Sequence, residues 1–85
     1  MYSPYSDIRD ERVRAHAKHY KSGKSMEDRH YADPLWMPVL VEEVGEVARA
    51  LCDNSDLEHL REEIIQVAAM AAAWADSVDR AIRES

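Results

Sequence analysis

This sequence of 85 residues has little of what most other fold classes require. It holds two glycines, three prolines and no phenylalanine, whereas an all-β fold needs many turns and many strand-forming residues. Its single cysteine, Cys52, cannot form an internal disulfide, so nothing marks an oxidising compartment. No apolar run approaches the ~20 residues of a membrane helix, and the first residues lack the apolar centre of a signal peptide. We therefore expect a cytoplasmic helical protein that has no membrane partner.

What the composition does contain is an excess of acidic residues. Seventeen Asp and Glu against eleven Lys and Arg give a formal net charge of −6. A surface that holds a nucleic-acid backbone needs clustered lysine and arginine, so we expect no nucleic-acid partner. Small phosphates remain allowed, because carboxylates can hold them through bound divalent cations.

Hydrophobic periodicity predicts three helices in a single domain that spans residues 1–85. Residues 1–32 form the first helix and a polar connection, and residues 33–83 form the core. We expect Ser55 and Glu58, three residues apart, to form a capping box at the start of the third helix. The predicted helices run from Ser6 or Asp7 to Tyr20, from Asp33-Pro34 or Met37 to Leu51 or Cys52, and from Asp56 to Arg83.

The third predicted helix is long for so small a chain. At ~1.5 Å per residue it reaches ~40 Å, whereas a compact chain of this length is only ~30 Å across. Its Ala-rich face around residues 68–75 should be buried against another helix, which we expect to come from a second subunit. The predicted fold is therefore all-α, with three main helices that form part of an oligomeric helical bundle.

Two pairs of oxygen-bearing side chains are predicted to face each other between the second and third helices. Glu43 and Glu46 are three residues apart on one helix, and Glu63 and Gln66 are three apart on the next. A tight turn makes the two helices antiparallel neighbours, and hard oxygen donors suit Mg²⁺. A charged pair at this spacing is also typical of a solvated face, and a buried glutamine can instead bond to a neighbouring helix.

The stretches that carry these pairs resemble the MazG-like all-α nucleoside triphosphate pyrophosphohydrolases, in the short form found in phages and actinobacteria. The family pattern is Glu-x-x-Glu on one helix and Glu-x-x-Asp on the next. Here the first half is complete, and Gln66 replaces the Asp of the second half. Gly45 makes the resemblance more specific, because glycine inside a helix costs ~1 kcal/mol relative to alanine and is not expected there from the helical pattern alone. The two stretches are VLVEEVGEVARAL (39–51) and LREEIIQVAAMAAAWADSVD (60–79).

The resemblance implies an enzyme that uses Mg²⁺, or Mn²⁺ in its place, and that exists as a homodimer or homotetramer. It would cleave a nucleoside triphosphate between the α and β phosphates, giving a monophosphate and pyrophosphate. Glu43, Glu46 and Glu63 would be catalytic metal ligands, and Gln66 would offer a neutral oxygen as a fourth. With one charge fewer, the site works with three carboxylates, or is assisted by Glu62, or has reduced activity.

Four further residues are candidate substrate contacts. Trp36, two turns before Glu43, could stack on a nucleobase or could be an ordinary core residue. Lys21, Lys24 and Arg29 could hold phosphates or could be solvated charges. The alternative function is a non-catalytic module, for helical oligomerisation or for sensing a nucleotide or metal, that retains a degenerate carboxylate site.

Overall fold

The computed structural model describes residues 3–20 and 26–85. These residues form three α-helices, a short 3-10 helix and no strand, so the predicted all-α class is confirmed. The longest helix, α3, is central, because α1, the 3-10 helix and α2 all pack against it. No helix in the described ranges is long and apolar enough to cross a membrane. The elements are α1 (Pro4–Tyr20), the 3-10 helix (Met26–Asp28), α2 (Trp36–Cys52) and α3 (Leu57–Glu84).

The length of α3 makes the molecule elongated, as the sequence predicts. The principal extents are 45 × 29 × 25 Å, and the radius of gyration is 13.7 Å. A compact chain of this length would have a radius of gyration of about 12 Å. The two neighbouring helices therefore leave part of the α3 surface uncovered.

Prolines lie in the first turns of α1 and α2. α1 begins at Pro4, earlier than predicted, and Ser3 Oγ accepts a hydrogen bond from the Ser6 amide at 3.4 Å. Proline suits this first position, because its missing N–H would have no acceptor there. α2 begins at Trp36, within the predicted range, and Pro38 falls inside the first turn for the same reason.

The cap of α3 differs from the prediction. The Asp56 carboxylate accepts a hydrogen bond from the His59 amide at 2.8 Å, and Asp56 is the capping residue. The expected capping box of Ser55 and Glu58 is therefore wrong. Asp56 has extended backbone angles (φ −67°, ψ 164°) that place its side chain over the first turn, and its negative charge also interacts favourably with the positive end of the helix.

Side chains of α3 hold the connection that precedes α2. Their donors are three residues apart and so share one face of the helix. They donate to carbonyls that are two residues apart along the connection. This register fixes the path of the connection along α3. The bonds are Arg80 Nη2 to the Glu27 carbonyl, Ser77 Oγ to the Arg29 carbonyl and Trp74 Nε1 to the Tyr31 carbonyl, each 2.9 Å.

The connection delivers Trp36 into the core. Its side chain is fully buried, its ring lies parallel to that of Trp74 with centroids 5.8 Å apart, and its Nε1 donates to the His30 carbonyl at 2.9 Å. Apart from Trp36, the buried residues in the part of the chain whose burial is described are all small: Ala50, Ala69, Ala73 and Ser77. Small residues permit close helix packing but contribute little buried apolar area.

Candidate functional site

A cavity of about 220 Å³ lies between α1, α2, α3 and the 3-10 helix. Glu43 from α2 and Gln66 from α3 both line it, so the structure brings together one member of each predicted pair. Small and flexible apolar residues, including Ala69, Met70 and Ala73, form another part of the lining. The cavity therefore combines an apolar surface with a small number of polar groups, as binding pockets generally do.

Glu43 is a carboxylate of this cavity whose surroundings disfavour its charged form. Its Oε2 atom is buried and has no hydrogen-bond partner among the described residues. Burial raises the pKa of Glu43 above its ordinary value, and the negative charges of Glu63, Glu42, Glu46 and Glu11 raise that pKa further. A buried carboxylate oxygen that lacks a donor or cation carries a desolvation cost. A bound cation would therefore stabilise the ionised form of Glu43.

The other two predicted carboxylates lie beside Glu43 but do not line the cavity. Glu63 is 14% exposed, with Oε1 3.7 Å from His59 Nε2. Glu46 is 41% exposed, with Oε1 3.6 Å from Arg49 Nη1. In the described ranges, no group of three or more His, Cys, Asp or Glu side chains is placed to hold a metal ion.

The residues nevertheless have the chemistry that a divalent cation needs. Glu43 offers an unpartnered oxygen, and Glu46 and Glu63 are held only by long contacts with neighbours on their own helices. Gln66 offers an amide oxygen at the same cavity. All four are hard oxygen donors of the kind that Mg²⁺ prefers. A cation among them would compensate the like charges that raise the pKa of Glu43.

The predicted substrate contacts lie elsewhere or outside the described residues. Trp36 is fully buried in the core and has no face open to a nucleobase, so the core interpretation holds and base stacking does not. Arg29 Nη1 pairs with Asp33 Oδ2 at 2.9 Å, and Arg29 is not part of the cavity lining. Lys21 and Lys24 fall outside the described residues.

The wall of the cavity that α1 contributes was not predicted from the sequence. It includes Glu11, Arg12 and Arg14. Arg12 reaches Glu27 through Nε and Nη2, both at 2.9 Å, and reaches Asp76 at 3.3 Å. The apolar stripe of α1 is thin, so its sequence does not indicate which face meets α3. The only available signal was the close spacing of these charges along α1, which is also common on solvated helices.

Comparisons with known proteins supply no relative for this chain. No protein-family model matches it, and neither a curated protein nor a solved structure matches it. The function of the site is therefore inferred from its geometry and from the two sequence motifs, one with Glu43 and Glu46 and one with Glu63 and Gln66.

Proposed function

We propose that this protein is a Mg²⁺-dependent nucleoside triphosphate pyrophosphohydrolase that releases a nucleoside monophosphate and pyrophosphate. The observation that carries the proposal is the buried, unpartnered oxygen of Glu43, which lies close to several other carboxylates. Burying such a group in its ionised form is unfavourable unless a hydrogen-bond donor or a cation compensates the charge, and a bound cation would do so here. The resemblance of residues 39–51 and 60–79 to the MazG-like pattern supports the choice of reaction.

Glu43, Glu46 and Glu63 are the proposed metal ligands, with the amide oxygen of Gln66 as a neutral fourth donor. When bound, Mg²⁺ or Mn²⁺ offsets the charge of phosphate oxygens and lowers the pKa of a coordinated water. Glu46 and Glu63 must turn away from contacts of 3.6 and 3.7 Å to join Glu43. Such intrahelical pairs are weak, so this rearrangement is accessible. One carboxylate of the set would accept a proton from the water that attacks phosphorus, while the bond between the α and β phosphates breaks and the monophosphate and pyrophosphate separate.

A panel of nucleoside triphosphates with Mg²⁺ or Mn²⁺, scored for pyrophosphate against orthophosphate, tests this function. We expect pyrophosphate from the wild type and almost none from Glu63→Gln. Glu62→Gln is the matched control, since it removes the same charge from a neighbour whose side chain is 72% exposed. Release of orthophosphate alone would contradict the proposed bond cleavage. Unchanged metal binding and turnover in Glu63→Gln would show that the carboxylates of Glu43, Glu46 and Glu63 lie close together by chance and form no metal site.

A second candidate function, a non-catalytic helical module, is favoured by a different observation. α2 and α3 carry large apolar side chains that are 36–81% exposed. On α2 they follow a spacing of four and three residues, which places them on one face. We call this surface the apolar stripe of α2; it comprises Met37, Val41, Val44 and Leu51. Metal or triphosphate binding without any product in the same panel would favour a sensing or oligomerisation role over catalysis.

The apolar stripe of α2 also supports assembly into a homodimer or homotetramer. A contiguous exposed apolar surface is typical of an interaction site. The Ala-rich segment of α3 is divided: Ala69 and Ala73 are buried within the chain, whereas Ala71 and Ala75 are exposed. The inner half of the face is therefore buried within the chain, and burial against a second subunit stays a prediction for the exposed half.

Light scattering at micromolar concentration tests the assembly. We expect an oligomer for the wild type and a shift towards monomer for Val44→Glu, which places a charge in the stripe. The control is Val13→Glu, which changes an equally apolar residue that is 66% exposed on α1, outside the stripe. A monomeric wild type, or equal effects of the two substitutions, would count against this interface.

A further inference from the structure

Two arginines of α1 line the cavity, and their surroundings differ. Arg12 is held by Glu27 and Asp76, which belong to other elements, and its side chain is 29% exposed. Arg14 pairs with Glu11 on its own helix and is 58% exposed. The contacts of Arg12 tie α1 to the 3-10 helix and to α3, so Arg12 has a structural role. Arg14 makes no comparable tertiary ion pair among the described residues, and a structural role does not account for its position.

Arg14 lies where two concave surfaces meet. It lines the cavity that contains Glu43, and it also lines an open groove between α1 and α3, whose lining further includes Arg61 and the carboxylates of Asp7, Asp10 and Glu62. Glu11 and Gln66 are shared by both surfaces in the same way. A ligand that spans the two surfaces would contact Arg14 where they meet and would extend towards Glu43 in the cavity.

From this position we infer that Arg14 binds the polyphosphate of a nucleoside triphosphate; the inference rests on the proposed function. Near Glu43 the negative charge of the substrate needs a cation as a bridge, because that part of the cavity is itself acidic. Away from it, a guanidinium with two parallel donors matches phosphate oxygens directly. Arg14 is the arginine of this cavity that can make such contacts without breaking the tertiary ion pairs of α1.

Glu11 holds Arg14 in position until a phosphate replaces it. Arg14 donates from both Nε and Nη2 to the two carboxylate oxygens of Glu11, and phosphate oxygens match the same two-donor geometry, so a phosphate can replace Glu11 as the partner of Arg14. The Glu11 side chain is only 17% exposed, and its charge already acts on Glu43. Once Arg14 leaves, the charge of Glu11 is no longer compensated by its partner and adds to the attraction for a cation. Phosphate binding at Arg14 and cation binding at Glu43 should therefore strengthen each other.

Calorimetry with nucleoside triphosphate analogues whose α–β bridge is a methylene group tests the inference without turnover. In the presence of Mn²⁺, Arg14→Gln should weaken binding by about tenfold or more, as expected for the loss of a charge-assisted hydrogen bond. Its affinity for a nucleoside monophosphate should stay within about twofold of the wild type, and its affinity for Mn²⁺ alone should not fall, because Glu11 then lacks its basic partner. Arg14→Lys should retain part of the triphosphate affinity. The matched control is Arg9→Gln, which removes the same charge from an exposed position of α1 outside this cavity.

The outcomes of this experiment distinguish a failure of the inference about Arg14 from a failure of the proposed function. If the wild type binds the analogues and Arg14→Gln weakens binding no more than Arg9→Gln does, only net charge matters and the role of Arg14 is refuted while the proposed function stands. If the wild type binds none of the analogues with Mn²⁺, the proposed function fails and the inference fails with it. Equal thermal midpoints for the two variants exclude misfolding as the cause of a difference.

Discussion

Replacing Glu43 by Gln tests whether the acidic side of the cavity is suited to a cation. The substitution removes one negative charge and keeps the shape of the side chain. Burial raises the pKa of Glu43, and so does the charge of Glu63 and of other neighbours. In the absence of metal, the ionised side chain therefore destabilises the folded protein at neutral pH. We expect Glu43→Gln to be more stable than the wild type without divalent cations and less stable with them.

The size of the effect follows from the surroundings of Glu43. Like charges one turn apart, as with Glu46, destabilise a helix by about 0.2–0.5 kcal/mol. Burial, which is the largest cause of the raised pKa, and the charges of Glu63 and Glu11 add to this, so we expect a total of about 1 kcal/mol or more. For a domain of this length that corresponds to a rise of roughly 5 °C in the thermal midpoint. A cation at about a hundred times its Kd stabilises the wild type by about 2.7 kcal/mol. With the cation present, the wild type should therefore be more stable than Glu43→Gln.

The assay is thermal unfolding of both proteins with a chelator and with excess Mg²⁺, at several pH values. A raised folded-state pKa means that the protonated form of Glu43 is favoured in the folded protein. The stability associated with that proton is fully present below the ordinary glutamate pKa of about 4.3 and is lost as the pH rises through the raised value. The advantage of Glu43→Gln in chelator should therefore shrink as the pH falls towards that range.

Two results would refute the reasoning. One is a Glu43→Gln protein that is less stable than the wild type in chelator at neutral pH, since the carboxylate would then have a favourable partner. The other is a stability difference that does not change with pH. Glu62→Gln serves as the control, because its exposed side chain should leave the midpoint nearly unchanged under every condition.

Two further predictions concern single side chains of α3. Gln66→Asp adds an anion to the cavity of Glu43, so the affinity for Mn²⁺ measured by calorimetry should rise. The thermal stability in chelator should fall, because the new charge lacks a counter-ion. Weaker Mn²⁺ binding would exclude Gln66 as a metal neighbour. Asp56→Ala should cost about 1 kcal/mol in chemical denaturation through loss of the helix cap, whereas Ser55→Ala should change stability by less than about 0.5 kcal/mol; the opposite order would restore Ser55 as the cap.

The helices were predictable because their signals are local. The end of α1, the start of α2 between Asp33 and Met37, and both ends of α3 follow from periodicity and from proline positions. The errors are local as well. Ser3-Pro4 is a capping residue followed by a proline at the first helical position, and it outweighs the later candidates Ser6 and Asp7. At α3 two adjacent residues can each cap the helix, and the choice of Asp56 depends on backbone angles that the sequence does not specify.

The site was predictable only in the part that comes from α2 and α3. The positions of Glu43 and Gln66 follow from helical spacing and from a tight turn between antiparallel neighbours. The burial of Trp36 does not follow, because it depends on how the connection is held along α3 by Trp74 and Ser77. The approach of α1 is likewise a tertiary property, and for that reason the cations at the cavity were expected in the connection instead of at Arg14.

Gly45 belongs to the sequence motif of α2, and its position bears on whether α2 packs against a second subunit. A glycine inside a helix costs about 1 kcal/mol relative to alanine, yet apart from its chain neighbours and the nearby backbone of its own helix, no described atom would lie within 4 Å of a Cβ added to Gly45. Close packing within the chain therefore does not require a glycine there. Val41 and Val44 on the same helix are also exposed to an extent that the monomer does not explain. A second helix packed closely against α2 would account for all three residues, and it would place the interface beside the helix that carries Glu43. Assembly and the state of the acidic site should therefore be coupled, and oligomer stability should respond to divalent cations.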